Sequence, residues 1–351
     1  MDGIDAAILE TDGETVAAFG PTLFSPYSPE MRERLRGGVE AAAGMRFDGP
    51  LPVALAELER DLTSAHSAAV LSLMKSARAS PADLAVVGFH GQTLLHQPAE
   101  RLTVQIGSGP QLARAIGVPV VSDFRSRDVR AGGQGAPIVP IYHRALARAR
   151  GPIAIVNIGG VANVTFVGRD GEVVAFDTGP GNAPIDDWVL HHTGKPFDED
   201  GALARGGRVH DNVIEAQLAH PYFARPAPKS LDRMDFTVDI VRNLSAADGA
   251  ATLTAFTART IAMAREHLPE NPREWIVCGG GRHNTVLMAA LRSDLSDSSV
   301  RSAEDAGWRG DFVEAEAIAF LAVRSLRGLP LTFPKTTGVA HAMPGGTLFM
   351  Q

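Results

Sequence analysis

The sequence predicts an α/β chain built as two mixed domains. Length is the first reason: 351 residues exceed what one hydrophobic core ordinarily serves. The second is patterning, because each half contains hairpin-type strands followed by alternating strands and helices. The third is a pair of glycine-rich runs, each placed after a short apolar stretch that reads as a strand. Phe-Asp-Thr-Gly-Pro-Gly-Asn occupies Phe176–Asn182 after Val173–Phe176, and Gly-Gly-Gly-Arg-His-Asn occupies Gly279–Asn284 after Trp275–Cys278. The division is expected near residue 150, giving domains 1–150 and 151–351.

The elements follow in order. Gly3–Leu9 and Thr15–Gly20 read as a β-hairpin turning at Thr11–Glu14, with Asp12-Gly13 at its tip. Leu51–Ala77 carries apolar residues at helical spacing. Leu84–Phe89 is a buried strand that ends in His90-Gly91-Gln92-Thr93. Gln111–Ile116 is a short helix, Val118–Val121 a strand opening into Asp123-Phe124-Arg125, and Arg130–Gln134 a glycine-rich loop. Ile153–Ile158, Val161–Val167 and Val173–Phe176 are consecutive strands, separated by Gly159-Gly160 and Arg169-Asp170-Gly171. After Asn182 the chain turns mostly helical, with Pro/Gly-rich connections at Asp198–Gly207 and Pro221–Asp235. Ala251–Leu268 is a helix, Trp275–Cys278 a strand, Thr285–Leu291 a helix that Asn284 can cap, and Phe312–Leu326 a final helix. The halves share no obvious repeat in sequence.

Composition narrows the function. Lys plus Arg number 33 against 40 Asp plus Glu, a net charge of −7, which argues against non-specific nucleic-acid binding. A phosphorylated small molecule remains open, since a few local donors suffice for it. The single cysteine, Cys278, excludes an intrachain disulfide and fits a reducing compartment. Met1–Asp5 carries two acids and no base, unlike a signal peptide. No apolar run approaches the roughly 20 residues of a membrane helix. The expectation is a cytoplasmic protein with no membrane partner.

Glycine turns at strand ends allow the backbone to approach a phosphate or ribose closely. One such turn says little; two, far apart in sequence, suggest a nucleotide held between two halves of the chain. Neither common nucleotide loop is present. Lys195 follows Gly194 but precedes Pro196, and Gly107 and Gly109 lack a third glycine at Leu112. There is no His-Glu-x-x-His and no Gly-x-Ser-x-Gly, and the adjacent His191 and His192 diverge on a helix.

Motifs along nearly the whole chain resemble those of the anhydro-N-acetylmuramic acid kinases, of the actin/hexokinase/Hsp70 ATPase superfamily. They are Met1-Asp2-Gly3-Ile4-Asp5, Gly91-Gln92-Thr93, Ser122-Asp123-Phe124-Arg125, Gly132–Pro137, Asn157–Asn163, Phe176–Asn182, Ala251–Ala258, Gly279–Asn284 and Glu314-Ala315, in that order. The resemblance implies two ribonuclease-H-like domains flanking a nucleotide cleft, and a homodimer. It implies that the 1,6-anhydro bridge of anhydro-N-acetylmuramic acid is opened with water while O6 is phosphorylated by ATP with Mg²⁺. The product, N-acetylmuramic acid 6-phosphate, belongs to peptidoglycan recycling. The family's first phosphate loop, Ser-Gly-Thr-Ser-x-Asp-Gly after a strand, is represented here only from its x onward. The expectation is a start upstream of Met1, and weak ATP binding by the chain as it stands. Pro228–Arg233 departs from the family's Pro-Lys-Ser-Thr-Gly-Arg at Leu231 and Asp232.

The same resemblance assigns roles. Asp177 takes the place of the catalytic base that removes a proton from the attacking water; a turn aspartate accepting backbone N–H groups would look the same in sequence. Arg125 would meet the sugar or its developing charge, although Arg127, Asp128 and Arg130 also make it one of an ion-pair face. Glu314 would bind a sugar hydroxyl, and serves equally as a first-turn helix acid. His90 and Gln92, at a strand end, are further substrate candidates. Asp2, Gly3, Gly159, Gly179, Gly181, Asn182, Gly279, Gly280, Gly281 and Asn284 are candidates for phosphate, Mg²⁺ and adenosine contacts; no set of metal ligands is legible. Two alternatives stand beside the kinase reading: a kinase or phosphatase for another small molecule, and a catalytically impaired nucleotide- or sugar-binding homologue.

Overall fold

The computed structural model describes residues 2–45, 51–147 and 150–351; Met1 lies outside them. It has two compact units, Met1–Leu146 with Phe312–Gln351, and Ala147–Asp311. The last segment, expected in a contiguous second domain 151–351, therefore belongs with the first unit. The reason is packing of its final elements, given below.

The first unit opens with the expected hairpin, β1 (Gly3–Thr11) and β2 (Val16–Pro26), paired antiparallel. Asp12 closes the tip by accepting the Glu14 and Thr15 N–H groups, while Gly13 turns at φ 80°. Helices α1 (Pro29–Ala42) and α2 (Val53–Ala77) follow. Their Leu35, Leu58 and Leu62 meet Leu94 and Ile106 in a core. Strand β3 (Val87–Phe89) precedes a hairpin of β4 (Gln92–Gln97) and β5 (Leu102–Ile106). Helix α3 (Gly109–Ile116), strand β6 (Val120–Ser122), and helices α4 (Ser126–Arg130) and α5 (Pro140–Ala147) complete the first pass.

The second unit is a five-stranded sheet. Strands β7 (Ile153–Ile158), β8 (Val161–Val167) and β9 (Val173–Pro180) form an antiparallel meander. After helices α6 (Ala183–Thr193), α7 (Ala202–Arg205), α8 (Asp211–Leu218), α9 (Pro221–Ala224) and α10 (Ala246–Met263) comes β10 (Glu274–Cys278). Helix α11 (Thr285–Asp294) leads into β11 (Ser299–Ser302). The order is β11-β10-β7-β8-β9, with β10 parallel to both β7 and β11. This is the ribonuclease-H-like arrangement expected. Val156, Ile158, Phe166 and Phe176 bury one face against Ile261 of α10 and Leu287 of α11.

The chain then returns to the first unit. Helix α12 (Val313–Leu326) packs on β1 and β3; α13 (Pro334–Thr337) follows, and β12 (Thr347–Phe349) pairs antiparallel with β6 in the sheet β12-β6-β3. An apolar helix face and a strand edge thus take the final segment across the expected boundary.

One local expectation changes. β9 runs through Val173–Pro180, so Asp177 lies within the strand, opposite Asn163, rather than just past it. A register shift between Ala162 and Asn163 keeps the glycine-bearing end in the ladder, where Gly179 pairs with Ala162.

Candidate active site

In the second unit the carboxyl ends of β7, β9 and β10 lie on one edge of the sheet, where open α/β sheets bind ligands. Period-2 alternation buries Phe176 and Thr178 and leaves Asp177 between them only partly buried. Asp177 is held at three points. Its N–H donates to the Lys229 carbonyl at 3.0 Å, its carbonyl accepts the Tyr222 hydroxyl at 2.5 Å, and its Oδ2 accepts the Leu231 N–H at 2.9 Å. Burial lifts its carboxyl to about 6, with the Leu231 N–H pulling the other way. A group poised near neutral pH suits a general base.

Lys229 organises this frame. Its Nζ donates to the carbonyls of Tyr222 at 3.3 Å and Phe223 at 3.1 Å, and sits 4.9 Å from the Tyr222 ring centroid and 5.6 Å from that of Phe176. Burial brings its ammonium down to about 8. The departures at Leu231 and Asp232 leave the frame intact. Leu231 acts through its backbone N–H, and Asp232 caps the short turn Arg233–Asp235. Tyr222 escaped the sequence reading because it reaches Asp177 from 45 positions away.

The glycine runs come together. Gly181 N–H donates to Gly160 O at 2.9 Å and Asn182 N–H to Gly159 O at 2.7 Å, while the Asn182 amide donates to Ile158 O at 3.1 Å. Gly181 and Asn182 thus brace the Gly159-Gly160 turn. Gly279 has φ 74°, and a Cβ there would lie 2.5 Å from Asn157 Oδ1. A Cβ on Gly281 would strike the Ile158 side chain, whereas one on Gly280 would find nothing nearer than 3.5 Å. Gly159 and Gly280 therefore border open space at the sheet edge. Gly179 differs: its missing side chain admits Thr260 of α10, 2.5 Å from where a Cβ would sit. Asn284 caps α11 as expected, accepting from Val286 and Leu287 N–H at 3.1 and 3.0 Å.

Two further residues were not foreseen. Arg282 is buried and anchors the turn, donating to Gly279 O at 2.8 Å and pairing with Glu304 and Asp311. Asp186, in the first turn of α6, is pushed up to about 7 by burial and by its neighbour Asp187. The paired acids after Asn182 were the available signal.

The first unit gathers the sugar-side candidates. Asp123 takes φ 56° and accepts the Ser126 N–H at 3.2 Å, which sets the start of α4 beside Arg125. Arg125 Nε and Nη2 lie 3.2 and 3.0 Å from His90 Nε2, and Nη1 donates to Gly135 O at 2.8 Å. Burial, then the Arg125 charge, holds His90 down to about 4, so the ring is neutral and its Nε2 accepts. Glu314 faces Arg125 electrostatically from the start of α12. His90, Gln92, Arg125 and Glu314 line one cavity of about 800 Å³. Gln92 sits in β4 and donates to Thr93 O at 3.1 Å. Asp128, read in sequence only as surface charge, is buried and orders the Gly132–Gly135 loop through Gly135 N–H at 2.7 Å and Thr337 Oγ1 at 2.7 Å. Asp2 is exposed and accepts the Tyr27 N–H at 3.0 Å, while Gly3 is hemmed by Phe24 and Ser25.

Among the described residues no group of three or more His, Cys, Asp or Glu side chains is placed to hold a metal ion. Nor, among them, is any helix long and apolar enough to cross a membrane.

The sequence has relatives along its whole length. The family described as anhydro-N-acetylmuramic acid kinase matches residues 1–351. The chain belongs to that family. A protein of Rhodopseudomonas palustris named anhydro-N-acetylmuramic acid kinase is 51% identical over 351 residues, spanning 99% of this chain and 96% of its own length. One of Rhodospirillum rubrum with the same name is 52% identical over 349 residues, 99% of this chain and 91% of its own. A third, of Bradyrhizobium diazoefficiens, is 49% identical over 351 residues, 99% of this chain and 96% of its own. The chain is accordingly an enzyme of the kinase class.

Proposed function

We propose that this enzyme opens the 1,6-anhydro bridge of 1,6-anhydro-N-acetylmuramic acid with water and transfers the γ-phosphoryl group of ATP to O6. Water attacks the anomeric carbon and Asp177 takes its proton. The bond from that carbon to O6 breaks, O6 attacks the γ-phosphorus, and ADP leaves. The products are N-acetylmuramic acid 6-phosphate and ADP, which fits a place in cell-wall recycling. The observation that carries this reading is Asp177 itself, a carboxyl lifted to about 6 and held by backbone groups at the glycine-lined edge of its sheet. A base with that affinity is mostly ionised at neutral pH and still basic enough to accept a proton.

Gly159, Gly280 and the turn braced by Gly181 and Asn182 would receive phosphates through backbone N–H groups. Mg²⁺ fits as an ion carried by the nucleotide, since it draws most of its ligands from phosphate and water and needs no dedicated cage; it would supply charge neutralisation. Arg125, with neutral His90 and Glu314, would hold polar groups of the sugar. A single cysteine, the buried Cys278, suits a cytoplasmic enzyme. A homodimer and a contact from Asp2 to phosphate, Mg²⁺ or adenosine rest on family resemblance alone.

The test is to incubate the purified chain with 1,6-anhydro-N-acetylmuramic acid, ATP and Mg²⁺ and to follow sugar phosphate and ADP by mass spectrometry. Equimolar appearance of both supports the reading. Phosphorylation of another sugar, or ADP release independent of sugar, would replace it.

A further inference from the structure

Helix α10 buries a row of threonines that the proposed reaction does not use. Thr252, Thr254, Thr257 and Thr260 are each at most 1% exposed. A buried hydroxyl is costly unless it is hydrogen-bonded, so the partner of each is informative. Thr252 Oγ1 accepts the His210 N–H at 3.1 Å. Thr260 donates to Thr257 O, within its own helix, at 3.0 Å. Thr257 donates out of the helix, to Gly181 O, at 3.1 Å. Thr254 Oγ1 has no partner among the described residues. Helix hydroxyls elsewhere in this chain bond back to their own helix. Thr63, Ser64 and Ser67 of α2 and Ser325 of α12 each reach the carbonyl one turn earlier. Thr257 departs from that habit.

Close packing makes the departure possible. Gly179 lacks the Cβ that would lie 2.5 Å from Thr260 Oγ1, so α10 sits directly on the end of β9. Thr257, one turn earlier in α10, then meets Gly181, just past the strand end. Gly181 is itself pressed onto the neighbouring turn, where a Cβ would strike Gly159 O. The Gly181 carbonyl and the Asn182 N–H belong to one planar peptide. Thr257 holds that peptide at its carbonyl, and Gly159 O holds it at its N–H, 2.7 Å away. Glycine resists rotation of such a peptide weakly, so the two bonds set its orientation.

We propose that Thr257 is a positioning residue for the nucleotide: its hydroxyl fixes the peptide between Gly181 and Asn182, and through it the Gly159-Gly160 turn, in the orientation that receives phosphate. It touches neither phosphate nor sugar, and its role rests on the reading that a nucleotide occupies this edge of the sheet. Asp177 is held separately, through Lys229, Tyr222 and Leu231. The base and the phosphate turn thus have different supports, one from the segment that carries Tyr222 and Leu231 and one from α10. Removing the Thr257 hydroxyl should loosen the second and spare the first.

Three variants of the full chain test this. Thr257→Val keeps the shape and removes the hydroxyl, while Thr257→Ser keeps the hydroxyl and removes the methyl group. Thr254→Val removes a hydroxyl that has no partner, on the same helix one turn away, and so measures any general disturbance of α10. Thr257→Ala replaces the valine form if that form does not fold. ADP and ATP affinities are measured by calorimetry with Mg²⁺, alongside KM for ATP and for the sugar, hydrogen exchange at Gly181 and Asn182, and thermal unfolding. Thr257→Val should weaken nucleotide binding by about tenfold, because it leaves a buried carbonyl without its donor. KM for ATP should rise with it and exchange at Asn182 should quicken, while KM for the sugar holds. Thr257→Ser should stay within about threefold of the parent, and Thr254→Val should match the parent or melt slightly higher. Unchanged nucleotide affinity or unchanged exchange in Thr257→Val would overturn the proposal. An equal loss in Thr257→Ser or Thr254→Val would overturn it too, by making α10 packing the cause. A parent chain that binds no nucleotide would remove the nucleotide reading and this inference together, whereas a parent and a Thr257→Val form that bind ATP equally would remove this inference alone.

Discussion

Replacing Asp177 with asparagine should move activity and stability in opposite directions. The amide that replaces the carboxylate would keep an oxygen for the Leu231 N–H and leave the backbone bonds to Lys229 and Tyr222 unchanged. What disappears is the proton acceptor. Loss of a general base costs roughly 10²–10⁴ in rate, or about 3–5 kcal/mol in the barrier. The stability term has the other sign. The folded-state pKa is raised from 3.8 to about 6, so the ionised carboxylate is penalised in the fold. At about 1.4 kcal/mol per unit this penalty is on the order of 3 kcal/mol. It is fully present above pH 6 and is relieved as pH falls toward 3.8. Asp177→Asn should therefore melt a few degrees higher than the parent at a pH of about 7.5, and the difference should shrink near pH 4. In the parent, kcat/KM should fall as pH drops through about 6, about tenfold per unit below it. The assays are sugar-phosphate formation, thermal melts across pH, and nucleotide binding, which should hold nearly constant. Turnover within a few-fold of the parent would refute the base assignment. Activity and Tm falling together would make Asp177 a structural residue.

Lys229 loses its proton at about 8, so activity should decline above that pH, and Lys229→Met should lower kcat and erase that limb of the profile; an unchanged alkaline limb would contradict this. Gly280→Ala should bind ATP within a few-fold of the parent, whereas Gly281→Ala should weaken it by about tenfold or more, because only the latter Cβ meets Ile158; calorimetry on both decides. Asn284→Ala should cost about 1 kcal/mol by denaturant titration, with little change in nucleotide affinity, since its side chain is spent capping α11; a large affinity loss would make Asn284 a ligand contact instead. Arg125→Lys should raise KM for the sugar by about tenfold while sparing ATP, because one ammonium cannot reproduce the fork that meets both His90 and Gly135 O; an unchanged KM would remove Arg125 from the sugar site.

Much of the fold could be read locally. The hairpin at Asp12-Gly13, the meander from Ile153, and the strand and capped helix around Gly279–Asn284 all carry their signals within a few residues. The failures were non-local or weakly patterned. Helix α1 has few apolar positions, and β4-β5 contains polar Gln92, Thr93, His96 and Gln97. The return of α12 and β12 to the first unit depends on which surface is left uncovered, which no window of sequence records. At the site, residue types pointed to Asp177 and the glycines. What holds them came from afar: Tyr222 and Leu231 for Asp177, Arg282 for Gly279, Asp128 for Gly135. The glycines also divided by cause. Gly179 and Gly281 are required by packing, while Gly159 and Gly280 border open space at the sheet edge.

The most direct test of coupled ring opening and phosphorylation is turnover in H₂¹⁸O. The purified chain is given 1,6-anhydro-N-acetylmuramic acid, ATP and Mg²⁺, and the products are analysed promptly by mass spectrometry. The mechanism predicts one ¹⁸O in the sugar phosphate, at the anomeric carbon, an unlabelled phosphoryl group, and one ADP per labelled sugar. Label in inorganic phosphate with the anhydro-sugar left intact would mean that water attacks ATP rather than the sugar, and would contradict the account.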